Sequence, residues 1–361
     1  MRVLIMIGSF KTGGAERMSV NTGLELARRG HEVYYLIQKP IFEIPNNIPR
    51  DRIIVLRAGN EKGPFQKLKT LFVGGYFEVK KIKPDVIIAF SRFSSFLACF
   101  SFHERIVGRF DMNPFTLSRK QRIWANVVIN NPFVRKIVVP STGMLHALTE
   151  RKPSKANKFL VIANSIDKAV VKVKAEDPFE GFDFPFVCAM GRIAHQKNFS
   201  LLVRSFHKSK LRRMVKLVII GDGILRSKLE AEIINLGLGD SVMITGKLEN
   251  PFPIVKKALF MVNTSDRESF CNVILEGLTL SLPVVATDCD YGPEDMVKNG
   301  INGFLTKPGD ETELIAALDK LAEDSELLNE LRKNTEASVE KFEIGNVVDS
   351  WEKLINDVTK V

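Results

Sequence analysis

The sequence is sparing in several features that would assign a function at once. Its 361 residues hold four cysteines, Cys99, Cys188, Cys271 and Cys289, in apolar segments without metal-ligand spacing. That excludes a disulfide-stapled scaffold, argues against zinc and points to reduced thiols in a cytoplasm. No stretch approaches the ~18 uninterrupted apolar residues of a membrane-spanning helix. The longest apolar patches, such as Val86 to Phe90 and Phe96 to Phe100, stop far short. The N-terminal run before Gly8 is too short for a secretory leader and reads as a buried first strand. His31, His103, His146, His195 and His207 show no paired-ligand spacing, and neither a Walker loop nor a nucleophile elbow occurs. What remains is an ordinary folded composition, 45% apolar and 26% charged, which excludes disorder. At about 100 to 200 residues per domain, the length implies two domains with a core each.

Charge is unevenly spread. Residues 1–165 carry 27 Lys and Arg against 11 Asp and Glu, a balance of +16, and the remainder carries 25 against 31, or −6. A basic half suggests a polyanionic partner, either nucleic acid or anionic lipid. Between Lys62 and Pro84, Lys62, Lys67, Lys69, Lys80, Lys81 and Lys83 alternate with Phe65, Leu71, Phe72, Val73, Tyr76 and Phe77. Bulky apolar side chains with lysines suit a bilayer interface better than nucleic acid, for which no recognition motif is found. An amphipathic helix with a solvated lysine face fits the same residues, and Gly74-Gly75 weakens either helix.

Periodicity gives strand candidates at Val3 to Ile7, Glu32 to Ile37, Ile53 to Leu56, Val86 to Phe90, Ile106 to Gly108, Ile137 to Val139 and Leu160 to Ala163. Helical patterns at Ala15 to Arg29, Gln66 to Lys81, Arg119 to Asn130 and Met144 to Glu150 alternate with them. The alternation restarts at Phe186 to Met190 and continues through Leu217 to Ile220, Val242 to Thr245, Phe260 to Asn263 and Pro283 to Thr287. Strand, helix, strand in repetition predicts an α/β chain of two doubly wound, Rossmann-like domains. The expected division is 1–165, a linker at 166–183 and 184–342, with a helix at 343–361 packing back on the first domain. Such domains are expected to face each other across a cleft.

Three loops suit an anionic ligand. Gly13 and Gly14 open a helix after the first strand, where backbone N–H groups and the helix N-terminus favour an anion. Gly191-Arg192, with Lys197 beyond, places two cations after the first strand of the second half. Glu268 precedes a helix and Glu276 lies a little over two turns further on, with free N–H groups near Asn272 and Val273 between them. Solvated cations and an acidic helix start with an inward Glu fit the same spacings. Asp288-Cys-Asp290 resembles an acid pair for a metal but reads better as a turn.

Taken together, these residues resemble glycosyltransferase family 4, retaining enzymes of the GT-B fold, over essentially the whole chain. Glu268 and Glu276 match its Glu-x7-Glu pair, Gly191-Arg192 with Lys197 its Gly-Arg…Lys element, Gly13-Gly14 its glycine loop and Asn164-Ser-Ile-Asp167 its Asn-Gly-Ile-Asp turn. The resemblance implies a UDP-sugar donor held by Gly13, Gly14, Arg192, Lys197, Leu248, Glu268, Ser269, Phe270, Asn272, Val273 and Glu276. Within that set it gives Arg192 and Lys197 the diphosphate, Gly14 a phosphate contact, Glu276 the ribose and Glu268 the transferred sugar. Glu268, Arg192, Lys197 and Asp111 are the expected catalytic residues. Neither a cofactor nor a metal is expected, because the leaving diphosphate can take the acceptor proton. Two departures stand out. The first-domain His that contacts the donor sugar is replaced within Val107-Gly-Arg109-Phe110-Asp111, where Arg109 or Asp111 takes its place, and the helix begins Glu268-Ser-Phe-Cys in place of Glu-Gly-[Phe/Leu]-Pro.

Gly-Gly-Ala-Glu-Arg and Tyr291-Gly-Pro-Glu resemble the bacterial members that build lipid-linked oligosaccharides for O-antigen, capsule or N-glycans. This implies a polyprenyl-diphosphate glycan acceptor and a protein of the cytoplasm, peripheral on the anionic inner face of the plasma membrane, transferring an N-acetylhexosamine or galactose. Nucleic acid is not an expected partner. The alternatives are an inverting transferase or UDP-sugar epimerase on the same fold, for which Asp111 is the first-domain base to nominate, and a non-catalytic protein that holds membrane or nucleic acid.

Overall fold

The computed structural model of the chain describes residues 1–11, 13–44, 47–56, 63, 66, 69–111 and 116–360. It divides into two compact units, Met1–Ser165 with Ile344–Val361, and Ile166–Glu343.

Among the described residues, the first unit is built on a seven-stranded parallel sheet. Its strands are β1 (Arg2–Ile7), β2 (Glu32–Ile37), β3 (Ile53–Val55), β4 (Val86–Ala89), β5 (Ile106–Arg109), β6 (Val134–Val139) and β7 (Phe159–Val161), in the order β3-β2-β1-β4-β5-β6-β7. β1 and β4 are buried along almost their whole length, as central parallel strands covered on both faces must be. Helix Gly14–Arg28 follows β1, and helix Arg119–Asn130 starts at a reciprocal capping box of Ser118 and Gln121. The helix Ile344–Thr359 closes the core by burying Val347, Val348, Trp351, Leu354, Ile355 and Val358, one stripe at helical spacing. Trp351 lies against Phe90 just past β4, ring centroids 5.6 Å apart.

The second unit carries a six-stranded parallel sheet of β8 (Phe186–Met190), β9 (Lys216–Ile220), β10 (Val242–Gly246), β11 (Met261–Asn263), β12 (Val284–Thr287) and β13 (Gly303–Thr306), in the order β10-β9-β8-β11-β12-β13. In both sheets the order reverses once, between β1 and β4 and between β8 and β11. Such reversals open a crevice at the carboxyl ends of the strands, where ligands of doubly wound sheets bind.

Two expectations need correction. Residues 166–183 are not a plain linker, because Asp167 caps a helix at Lys168–Lys174 and Val171 is buried. Lys168 and Lys172 pair with Glu340 and Glu336, so the charges of this stretch are spent on the second unit. The Gly74-Gly75 pair does not interrupt the following helix, since a π turn at Thr70–Gly74 runs directly into Gly75–Ile82. Lys62, Phe65 and Lys67 of the same segment lie outside the described residues. After β13 the chain forms two helices, Glu311–Glu323 and Ser325–Val339, because Asp324 ends the first and caps the second. β13 went unanticipated because it opens on Gly303, where a Cβ would stand 1.9 Å from Val284 O. No helix of the described residues is long and apolar enough to cross a membrane.

Candidate active site

In the second unit the loops after β8 and β11, which flank the reversal, are locked together. Beyond β8, Gly191 takes φ +151° and Gly221 φ +157°, and a Cβ on Gly221 would lie 1.8 Å from Gly191 O. Two glycines therefore let the ends of β8 and β9 touch. The chain then passes exposed Arg192 and a short turn, His195–Lys197, to Asn198 in the left-handed conformation. Asn198 Oδ1 caps helix Phe199–Lys208 by accepting from Leu201 N, while its Nδ2 donates to Asp266 Oδ1 at 2.7 Å. Thr264 Oγ1 donates to the carbonyls of Lys197 and Asn198, both at 3.1 Å.

This lattice sets Lys197 against Glu268, with Nζ 2.5 Å from Oε1 and both side chains nearly buried, 13% and 12% exposed. Ser265 Oγ donates to the same carboxylate oxygen at 2.8 Å, and Thr287 Oγ1 donates to Ser265 O at 2.5 Å. Burial works against the ammonium charge, yet the Glu268 carboxylate, through its charge and its hydrogen bond, outweighs it and holds Lys197 above its ordinary range. Burial, and after it Glu268, pushes the Cys289 thiol up to about 12 and Cys271 well above its usual value, so both remain neutral thiols. Sequence reasoning brought Glu268 and Lys197 to one region but missed Ser265 and Thr287, which carry no signature of their own.

The helix Asn272–Thr279 starts after Cys271, itself left-handed at φ +74°. Ser269, Asn272, Val273 and Glu276 are partly exposed along its start, so the short polar stretch ahead of the helix and its first two turns meet solvent together. Phe270 behaves differently. Its side chain is 2% exposed and packs edge-on to Phe342 at 5.5 Å, leaving only backbone to meet a ligand. Leu248 is half-buried in the loop after β10.

In the first unit Gly13 caps helix Gly14–Arg28 with an extended backbone. A Cβ on Gly13 would fall 2.2 Å from Glu16 Oε2, so the glycine admits the Glu16 carboxylate over its own helix start. Burial, and after it the charge of Asp111, holds Glu16 above the usual carboxylate range. Asp111 itself is tied to the wholly buried Arg109, Nε to Oδ1 2.6 Å. The Asn164-Ser-Ile-Asp167 turn divides its work: Asn164 Oδ1 accepts from Arg109 Nη2 at 2.5 Å, and Asp167 caps the next helix. Among the described residues no group of three or more His, Cys, Asp or Glu is placed to hold a metal ion, and Asp288 and Asp290 lie in the loop after β12, where Asp290 forms an isolated bridge with Arg267.

The sequence matches two families of known proteins. Residues 12–170 match Glycosyltransferase Family 4 and residues 172–338 match Glycosyl transferases group 1. The chain thus carries two α/β domains of the GT-B fold, each matching a glycosyltransferase family, and its class is that of a glycosyltransferase. It is 27% identical over 354 residues to the N-acetylgalactosamine-N,N'-diacetylbacillosaminyl-diphospho-undecaprenol 4-alpha-N-acetylgalactosaminyltransferase of Campylobacter jejuni, covering 94% of this chain and 95% of that one. A second Campylobacter jejuni protein, GalNAc-alpha-(1->4)-GalNAc-alpha-(1->3)-diNAcBac-PP-undecaprenol alpha-1,4-N-acetyl-D-galactosaminyltransferase, is 25% identical over 382 residues, 99% of each chain. Among solved structures, Anabaena HepE in complex with UDP shares the fold with a TM-score of 0.81 at 19% identity, over 99% of this chain and 100% of that one.

Proposed function

We propose that the protein is a retaining glycosyltransferase that moves an N-acetylhexosamine or galactose from a UDP-sugar to a polyprenyl-diphosphate-linked glycan. The observation that carries this is the Lys197–Glu268 pair, held by Ser265 at the reversal of the second sheet. A cation and a carboxylate fixed together give a diphosphate its counter-charge and a sugar hydroxyl its acceptor in one place. Arg192 adds a second, solvent-facing cation for the diphosphate, and Glu276 meets the ribose. The leaving diphosphate takes the acceptor proton on the face it departs from, so the protein's part is positioning and charge stabilisation. The Campylobacter relatives, whose names describe diphospho-undecaprenol glycans and N-acetylgalactosamine, support the acceptor class and favour N-acetylgalactosamine.

The acceptor class also implies a bilayer. In the first unit Phe77 and Phe102 are each 62% exposed, both rings stand beside Tyr76, and Lys80 Nζ lies over the Tyr76 ring at 5.7 Å. Aromatic rings with lysines around them suit an anionic membrane surface. The deciding experiment measures nucleotide release from UDP-, GDP- and ADP-sugars with and without a polyprenyl-diphosphate glycan, in wild type and Glu276→Ala. Acceptor-dependent release from one UDP-sugar, lost in the variant, with the product's anomeric configuration retained by NMR, is the expected result. Release from no donor, or an inverted product, overturns the reading.

A further inference from the structure

Helix Arg92–Ala98 and the turn Cys99–Ser101 that continues it carry phenylalanines at 93, 96 and 100, the spacing of one helical stripe. Phe96 is the hub of a ring cluster drawn from three elements. Its centroid lies 6.3 Å from Phe93 and 5.1 Å from Phe100, 6.1 Å from Phe72 in the π turn and 5.7 Å from Trp124 on helix Arg119–Asn130. Phe72 meets Phe100 at 4.7 Å and Trp124 meets Phe93 at 4.6 Å, so the cluster closes on itself.

A core cluster would be dry, yet none of these five residues is buried. Phe72, Phe93, Phe96 and Trp124 keep part of their surface in solvent, and Phe100 is 37% exposed. Exposed Val73 and Ile123, next in sequence to Phe72 and Trp124, widen the apolar surface. Rings packed on one another yet open on one side form a wall for a hydrocarbon, and an exposed apolar patch of this extent marks a partner.

The direction of the stripe and the charges around it identify that partner. Phe93 stands near the start of its helix, just past the carboxyl end of β4, where the first sheet reverses against β1. Phe100 follows seven residues, or about 10 Å, further towards the other end of the sheet. Two residues on comes exposed Phe102, beside Tyr76 at 6.2 Å. The wall therefore joins the crevice of this unit to the rings that the bilayer reading uses. At its crevice end Lys120 Nζ lies over the Trp124 ring at 5.1 Å, with Arg119 exposed beside it. Both helices and the π turn lack acidic residues. A bilayer surface suits rings that protrude, as Phe77 and Phe102 do, whereas half-buried rings in mutual contact suit one apolar chain lying along them, with an anionic head at the cations.

We propose that this face seats the first isoprene units of the polyprenyl-diphosphate acceptor, the tail leaving past Phe100 and Phe102 and the diphosphate meeting Arg119 and Lys120. The inference rests on the acceptor class proposed above.

Trp124 reports on its own site, since the second tryptophan, Trp351, is shut in the core. The full chain is titrated with farnesyl diphosphate, farnesol and inorganic pyrophosphate while tryptophan emission is followed, and Trp124→Phe marks the part of the signal that belongs to Trp124. Farnesyl diphosphate is expected to shift that emission to the blue and to saturate, and pyrophosphate to leave it in place. Phe96→Leu, which keeps an apolar side chain but removes the hub ring, should weaken farnesyl diphosphate roughly fivefold or more. Phe100→Gln, nearer solvent and less needed for folding, should do the same with the melting temperature held. Lys120→Ala should weaken farnesyl diphosphate about two- to fivefold and leave farnesol unchanged. Farnesyl diphosphate that binds no tighter than pyrophosphate, or that binds equally well in Phe96→Leu and Phe100→Gln, overturns the inference. An equal blue shift with phosphatidylglycerol vesicles free of polyprenyl lipid also overturns it, by making the face a bilayer contact. So does emission that moves with protein concentration alone, the mark of an interface between two copies. Binding of farnesyl diphosphate through Phe96 without nucleotide release from any donor would sink the transferase reading and leave the isoprenoid site. Acceptor-dependent release that is unchanged in Phe96→Leu and Phe100→Gln would sink the site and leave the transferase.

Discussion

Arg109 and Trp351 meet in the core of the first unit, the guanidinium carbon 6.0 Å from the indole ring centroid. The helix Ile344–Thr359, which follows the whole second unit in sequence, therefore completes the packing around the residue that holds Asp111. Trp351→Ala should cost about 3 to 5 kcal/mol, as expected for a buried tryptophan. Denaturant unfolding checks the stability. Trp351→Phe, which keeps a ring over Arg109, should recover most of the loss, and equal destabilisation by both variants would contradict this packing.

A second expectation concerns Lys197 and Glu268. Replacing one partner of a nearly buried pair strands the other, so Lys197→Met should destabilise the protein by about 3 to 5 kcal/mol and abolish turnover. Lys197→Met combined with Glu268→Gln should recover much of the stability and none of the turnover. Recovery of both would make the pair a structural strut with no part in transfer.

Arg192 provides the contrasting case, because it is exposed on the loop beyond Gly191. Arg192→Ala should change stability by no more than about 0.5 kcal/mol, the usual range for a surface position. Turnover should fall by about a hundredfold, the order seen when one donor to a developing negative charge is removed. Thermal unfolding and nucleotide release, measured on the same preparation, test both halves. Near-wild-type turnover would remove Arg192 from the site.

Much of this architecture was legible in the sequence where a strand's own residues reveal its burial. Glu32–Ile37 and Phe186–Met190 were read to the residue, since central parallel strands are apolar on both faces. β13 was not, because Gly303 serves the close approach of a neighbouring carbonyl and has no strand preference. Helix Lys168–Lys174 read as linker because its lysines answer Glu336 and Glu340, far along the chain. At the site, the spacing of Gly191, Arg192, Lys197, Glu268 and Glu276 was visible, and it is local in each loop. Lys197 and Glu268 are 71 positions apart, as Arg109 and Asn164 are 55, and no periodicity encodes such pairings.

Acid stability offers a test at the seam between the first helix and the last. Glu25, 8% exposed, accepts from Arg28 Nε and Nη2, both at 2.7 Å, and from Arg29 Nε at 2.9 Å. Arg29 Nη1 also reaches Asp349 and Glu352 on helix Ile344–Thr359. Bonds from Arg28, opposed by burial and reinforced by Arg29, hold Glu25 down at about 2. Its folded value lies below the unfolded value of about 4.3, so its stabilisation is complete above that pH and is lost as pH falls towards 2. Arg29→Met removes one donor to Glu25 and the tie to the last helix, and should cost about 1.5 to 3 kcal/mol near neutrality. Less stabilisation then remains to be titrated away, so urea unfolding curves of wild type and variant should converge as pH drops from about 5 to about 2. A gap between them that stays constant over that range would show that Arg29 acts through packing alone.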